Sequence, residues 1–232
     1  MLEFIRIQRF KSFSDAQFPL AALNLFSGLN GMGKSSLIQS LLLLRQSFEK
    51  NILFEKGLLL KGEYLSLGTG QDVLAENAEQ ETIEFTLTWE KHPPCHFAYA
   101  YDSKSDLQPV LEKMPDMGKK LRKKSLFNKQ FQYLSADRIS PKSSYDVSNY
   151  YIRDLNSLGN HGEYTAHFIA EYGLSPLPVK ALKHRDAESL SLLENLEKWM
   201  FEISPGIRIH AELQPAMNVV SAAGHSLGEY SA

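Results

Sequence analysis

Gly28-Leu29-Asn30-Gly31-Met32-Gly33-Lys34-Ser35-Ser36 contains Gly-x-x-x-x-Gly-Lys-Ser, the spacing of a phosphate-binding P-loop. Its flanks agree. Leu23, Leu25 and Phe26 read as an apolar strand over 23–27 entering the loop. Leu37, Ile38, Leu41, Leu42 and Leu44 give a helix predicted from 34 to about 49 a broad apolar face. Strand, glycine turn and helix start supply what an oligophosphate needs. Backbone N–H groups from Asn30 to Lys34 can wrap the anion, and the helix start adds partial positive charge. Gly28, Gly31 and Gly33 permit the tight turn and the close approach of phosphate. On this reading Lys34 reaches phosphate oxygens, the Ser35 hydroxyl ligates Mg²⁺, and Met32 and Ser36 complete the 28–36 loop. The competing reading is a glycine-rich turn that only precedes a core helix.

Outward from the loop, Leu2, Phe4, Ile5, Ile7 and Phe10 alternate against Glu3, Arg6, Gln8 and Arg9, which predicts a half-buried strand over 2–10. Lys11 to Asp15 turns the chain, and 16–20 predicts a second short strand ended by Pro19. Residues 82–90 alternate, Pro93-Pro94 interrupts, and 96–101 returns, so a hairpin is expected. Residues 103–130 are polar and hold the basic run Lys119-Lys120-Leu121-Arg122-Lys123-Lys124. That run reads first as a solvated, mobile insertion; the alternative is a contact to the phosphate backbone of DNA or RNA. Residues 131–136 predict a buried strand, 142–160 a loop with a short helical piece, 163–172 and 186–203 helices, and 207–213 a strand.

The 232 residues are 43% hydrophobic and 22% charged, with a net charge of −2, so no global basic field argues for nucleic acid. The single cysteine, Cys95, excludes an intramolecular disulfide. No run approaches the ~20 apolar residues of a membrane span, and the charged N-terminus lacks a signal-peptide core. A cytoplasmic location is the expectation, with no membrane partner.

Ile7-x-x-Phe10-Lys11-Ser12-Phe13 together with Gly28-x-Asn30-Gly31-x-Gly33-Lys34-Ser35-Ser36 resembles the ATP-binding head of the ABC-type ATPases, including chromosome-maintenance and RecF-like proteins. The blocks Tyr133 to Pro141, Gly162 to Ala166 and Trp199-x-x-x-Ile203-x-Pro205-Gly206 resemble bacterial AAA-family ATPases related to antiphage-defence and overcoming-lysogeny-defect ATPases. The resemblance implies an α/β P-loop fold of ABC-ATPase type: a mixed sheet, antiparallel in its N-terminal part, with a helical insertion. It implies ATP and Mg²⁺ as ligands, a homodimer or second ATPase head as partner, and DNA, RNA or a nuclease effector beside it. Matched by position, Lys11 is the basic residue that touches nucleotide phosphates and Asn30 the asparagine facing the γ-phosphate. Gln71, in Gly68-Thr-Gly-Gln-Asp72, stands where a metal- and water-contacting glutamine falls, or is a polar turn residue. Arg138 faces nucleotide or partner, or makes a structural ion pair. Lys11 has its own plain alternative, a solvated turn lysine.

No Leu-Ser-Gly-Gly-type signature and no apolar strand ending in Asp-Glu is present. Those elements hold the far side of Mg²⁺ and the attacking water. The expectation is therefore one ATPase domain over 1–232 that is incomplete at its C-terminus, with nucleotide binding firmer than hydrolysis. A non-hydrolysing nucleotide-binding module is the alternative. The tail, 216–232, has no clear pattern except Gly224-x-Ser226-x-Gly228, which looks like an acyltransferase nucleophile elbow. With no helix, oxyanion loop or later histidine after it, Ser226 has no activating environment, and acyl transfer is a remote alternative.

Overall fold

The computed structural model describes residues 1–112 and 117–226, and the chain divides into two units, 1–131 and 132–232. In the first the elements run β1 (Leu2–Phe10), β2 (Phe13–Pro19), α1 (Lys34–Glu49), β3 (Gly57–Leu59), β4 (Thr82–Trp89), β5 (Cys95–Ala100), β6 (Leu107–Pro109) and α2 (Gly118–Leu121). Period-two alternation sets the main sheet, which is antiparallel in the order β2-β1-β4-β5. Ile5 lies opposite Leu87, Ile7 opposite Phe85, and Phe85 opposite Phe97, all fully buried. A one-residue slip would turn each of them to water. Burying each is worth ~1.5–3 kcal/mol, whereas the Arg6–Asp15 pair on the other face is exposed and screened by water. The apolar face, not the ion pair, therefore fixes the register. Leu37, Leu43, Leu44 and Phe48 of α1 enter the same core.

Four expectations change in this unit. Residues 23–27 are not a strand: Leu23 and Leu25 are 89% and 91% exposed, and Asn24 bonds both the N–H and the C=O of Ala21 at 2.9 Å. A strand exists through a neighbour's hydrogen bonds. β1 already has β2 and β4 beside it, and no strand among the described residues flanks 23–27. The pairings that do occur are antiparallel, so the parallel part of a mixed sheet is not among them. β2 starts at Phe13, earlier than expected, because Phe13 pairs with Phe10. Residues 103–130 are not an insertion standing apart: β6 pairs with β3, and Leu121, Leu126 and Phe127 are buried in the core, Phe127 at 4.6 Å from Phe48. The helical part is one short turn, α2.

The second unit contains β7 (Ser144–Asp146), α3 (Thr165–Tyr172), α4 (Leu192–Ile203), β8 (Ile207–Gln214) and β9 (Val219–Ser226), with sheet order β7-β9-β8. Both helices pack on β8. α4 begins six residues later than expected. Asn195 ties the preceding loop, accepting from the His184 N–H at 2.8 Å and donating to Ser189 and Ser191 carbonyls. Residues 131–136 are not a strand either; the Ser135 N–H donates to Asn160 and the Gln132 side chain to Asn156, so a loop satisfies this backbone. β9 arises in the tail, where no strand was expected, because Ile207–Gln214 needs a partner and finds Val219–Ser226 across a turn.

Candidate nucleotide-binding site

Helix α1 begins at Lys34 with Gly33 as its N-cap in the left-handed region, φ 86°. No side chain caps this helix start and no acidic residue lies in its first turn, so its N–H groups and partial positive charge are left for an anion. Gly31 has φ 84°, and neither Gly28 nor Gly31 has a neighbour within 4 Å of where a Cβ would stand. These glycines hold open a surface on which phosphate could approach backbone. Gly33 differs: its Cβ position lies 2.6 Å from the Phe13 ring, so the β1–β2 turn packs directly against the P-loop.

Lys34 Nζ donates to the carbonyls of Gly28 and Leu29, each at 2.7 Å. The loop thereby curls around its own ammonium, placing the cation on the concave side of the turn. Ser35 is exposed beside it in the first helical turn, while Ser36 is buried. Asn30 and Met32 are exposed on the loop. This donor set fits an oligophosphate: a fixed cation, uncapped N–H groups and no competing carboxylate. Mg²⁺ would find one protein oxygen here, Ser35. Among the described residues no cluster of three His, Cys, Asp or Glu could hold a metal by itself.

Lys11 is not a solvated turn lysine. It is half-buried in a left-handed turn, φ 49°, its N–H donating to Val73 O at 2.7 Å and its Nζ to Gln39 Oε1 of α1 at 3.0 Å. Burial lowers its pKa, and the Asp72 carboxylate works in the opposite direction. Asp72 ends the short 3-10 turn Gly70–Asp72, whose backbone is clamped by Thr69 and by the carbonyls of Ser103 and Ser105. Gln71 sits exposed on that turn. The fold thus brings Lys11, Phe13, Gly33, Gln39 and the 69–73 turn to one place. Phe13, Gln39 and Asp72 were missed as site residues. Phe13 stood in the quoted Lys-Ser-Phe block, whereas nothing local marked Gln39.

Other candidates fall elsewhere. Arg138 donates to Ser135 O at 2.6 Å and has no ion pair among the described residues. The strand β9 runs through Ser226, which pairs with Ile207, rather than ending before it as a nucleophile elbow does; Leu227 and Gly228 lie outside the described residues. A cleft of about 810 Å³ in the second unit is lined by Arg185, Lys198, Arg208, Asp186, Glu197 and Glu202. Its charges balance, with Arg185 near Glu202 and Arg208 near Glu197, so it has no bias toward a polyanion. No helix among the described residues is long and apolar enough to cross a membrane. A family model described as AAA ATPase domain matches residues 1–171. No curated protein matches the chain.

Proposed function

Because the chain belongs to the family of AAA ATPase domains, we propose that it binds Mg-ATP at the P-loop and contributes half of an ATPase site. The observation that carries this reading is the uncapped start of α1 with Lys34 held on the concave side of the loop. Phosphate oxygens would take over the Lys34 hydrogen bonds now made to Gly28 and Leu29, exchanging neutral acceptors for charged ones, which strengthens each bond. N–H groups from Asn30 to Lys34 and the Asn30 amide orient the phosphates, and Lys11, steered by Gln39, adds a second cation. Ser35 supplies a ligand to Mg²⁺, which when bound shields the charge between phosphates. Gln71, exposed on the Gly70–Asp72 turn, is the candidate for the metal- and water-contacting glutamine that the resemblance implies.

Adenine is preferred over guanine, since no Asn/Thr-Lys-x-Asp motif is present. Hydrolysis requires a Walker B acid pair and a signature loop, neither of which lies within residues 1–232, and a second head is the proposed source of the signature. The resemblance to bacterial head ATPases is the ground for proposing a homodimer, nucleic acid or a nuclease effector as partner, and the lack of a membrane span or signal-peptide core is the ground for proposing a cytoplasmic setting. The test is equilibrium binding of fluorescent ATP with Lys34→Ala as control. Loss of the charged contact, at ~1.5–3 kcal/mol, should weaken binding by about tenfold or more. Equal affinity in the variant would overturn the proposal. Phosphate release from the isolated chain at a rate unaffected by Lys34→Ala would remove the enzymatic part.

A further inference from the structure

Charge is distributed unevenly along this chain. Residues 117–131 hold six of its 25 basic residues, Lys119, Lys120, Arg122, Lys123, Lys124 and Lys129, and none of its 27 acidic ones. A flexible tail could carry such a run without consequence, but this one is folded down. Leu121, Leu126 and Phe127 are 2–5% exposed in the core, and Phe127 lies against Phe48 and Trp89. Arg45, itself 8% exposed on α1, donates to the carbonyls of Leu126 at 3.0 Å and Asn128 at 2.8 Å. Arg122 donates to Asn51 at 2.9 Å and lies over the Phe48 ring. With the apolar residues turned in, Lys119, Lys120, Lys123 and Lys129 are exposed and form no ion pair among the described residues.

These lysines are not needed to neutralise the C-terminus of α1 beneath them. The carbonyls of Gln46, Ser47 and Phe48 already accept from the N–H groups of Lys50, Ile52 and Asn51. Lys50, exposed at that terminus, adds to the same sign of charge. Clustering like charges on a rigid frame raises the energy of the folded state unless a polyanion relieves it. We propose that residues 117–131, with Lys50, form a platform for the phosphate backbone of duplex nucleic acid. The aromatic side chains Phe127 and Phe131 pack inward or under Arg45, so no ring is presented to stack on unpaired bases. Binding is therefore to the duplex backbone and indifferent to base sequence. The platform lies at the opposite end of α1 from the P-loop, about 24 Å away for a 16-residue helix. This inference rests on the nucleic-acid part of the proposed function and gives it a location.

The experiment measures fluorescence anisotropy of labelled DNA and RNA duplexes with the full chain, without nucleotide, from about 50 to 200 mM salt. Lys119→Gln/Lys120→Gln/Lys123→Gln is compared with Lys142→Gln/Lys180→Gln/Lys183→Gln, an equal charge change among exposed lysines of the second unit. Expected is salt-sensitive duplex binding. The first triple should weaken it by about tenfold or more at low salt and flatten the log–log salt slope by roughly two to three. The second triple should leave both unchanged. Which duplex binds tighter identifies DNA or RNA as the source of the backbone. Absence of duplex binding at the lowest salt, equal loss in both triples, or preference for single strands or for anionic lipid vesicles would overturn the platform. Nucleotide affinity, measured on the same samples, separates this failure from failure of the P-loop reading. Retained melting behaviour of the first triple confirms that the fold is intact.

Discussion

A Cβ at Gly33 would stand 2.6 Å from the Phe13 ring in a backbone conformation, φ 86°, that L residues rarely adopt. Gly33→Ala should therefore lower stability and abolish fluorescent-ATP binding. Adding Phe13→Ala removes the clash but leaves the left-handed backbone, costing about 1–2 kcal/mol. Chemical denaturation of the double variant should show that residual; complete recovery would mean that the ring alone dictates glycine. His167 gives a second residue-scale expectation. It is 1% exposed, its Nδ1 accepts from the Ser148 N–H at 3.2 Å, and burial holds its pKa below the ordinary imidazole value. As pH falls through about 6.5, the unfolded chain binds the proton before the folded one. Stability should be level above that pH and decline below it until the folded histidine also protonates. Denaturation midpoints across this range should decline less in His167→Gln; an equal decline in both proteins would exclude His167 as the cause.

Among elements, the apolar segment 23–27 and the largely polar segment 117–131 meet opposite fates, and stability measurements can tell them apart. Phe127 is buried, so Phe127→Ala should cost about 3–5 kcal/mol. Leu25 is 91% exposed, so Leu25→Ser should shift stability by no more than about 0.5 kcal/mol. A silent Phe127→Ala would mean that the basic segment is not docked, and a costly Leu25→Ser would mean that 23–27 pairs after all. The hairpin β4–β5 and helix α1 follow their sequence pattern closely because their determinants are local: period-two alternation, and leucines over four turns. Lys11 was legible as a basic residue near a P-loop, but its Gln39 contact joins residues 28 apart and has no local signature.

At the scale of the whole molecule, each unit has its own buried residues, and the P-loop and basic platform both belong to the first. Ligand binding stabilises what it binds. Mg-ATP at about a hundred times its dissociation constant should add ~2.7 kcal/mol to the unfolding transition that Phe127→Ala lowers. Scanning calorimetry reads both on one protein. A nucleotide shift confined to the transition sensitive to His167 would place the site in the other unit.

The sequence by itself determined the P-loop, the extent of α1, the β4–β5 hairpin and the solvent-facing alternation of β1. Each is specified by residues a few positions apart, through glycine φ freedom or through side-chain period. Tertiary structure alone decided which apolar runs became strands. Residues 23–27 and 131–136 have strand-like composition but no strand beside them among the described residues with which to form a ladder, whereas Val219–Ser226 obtained one from β8. It also decided the standing of the basic run. Charge composition could not distinguish a loose insertion from a docked segment; Leu121, Leu126 and Phe127 do so by entering the core, Phe127 against Phe48 and Trp89, far away in the chain.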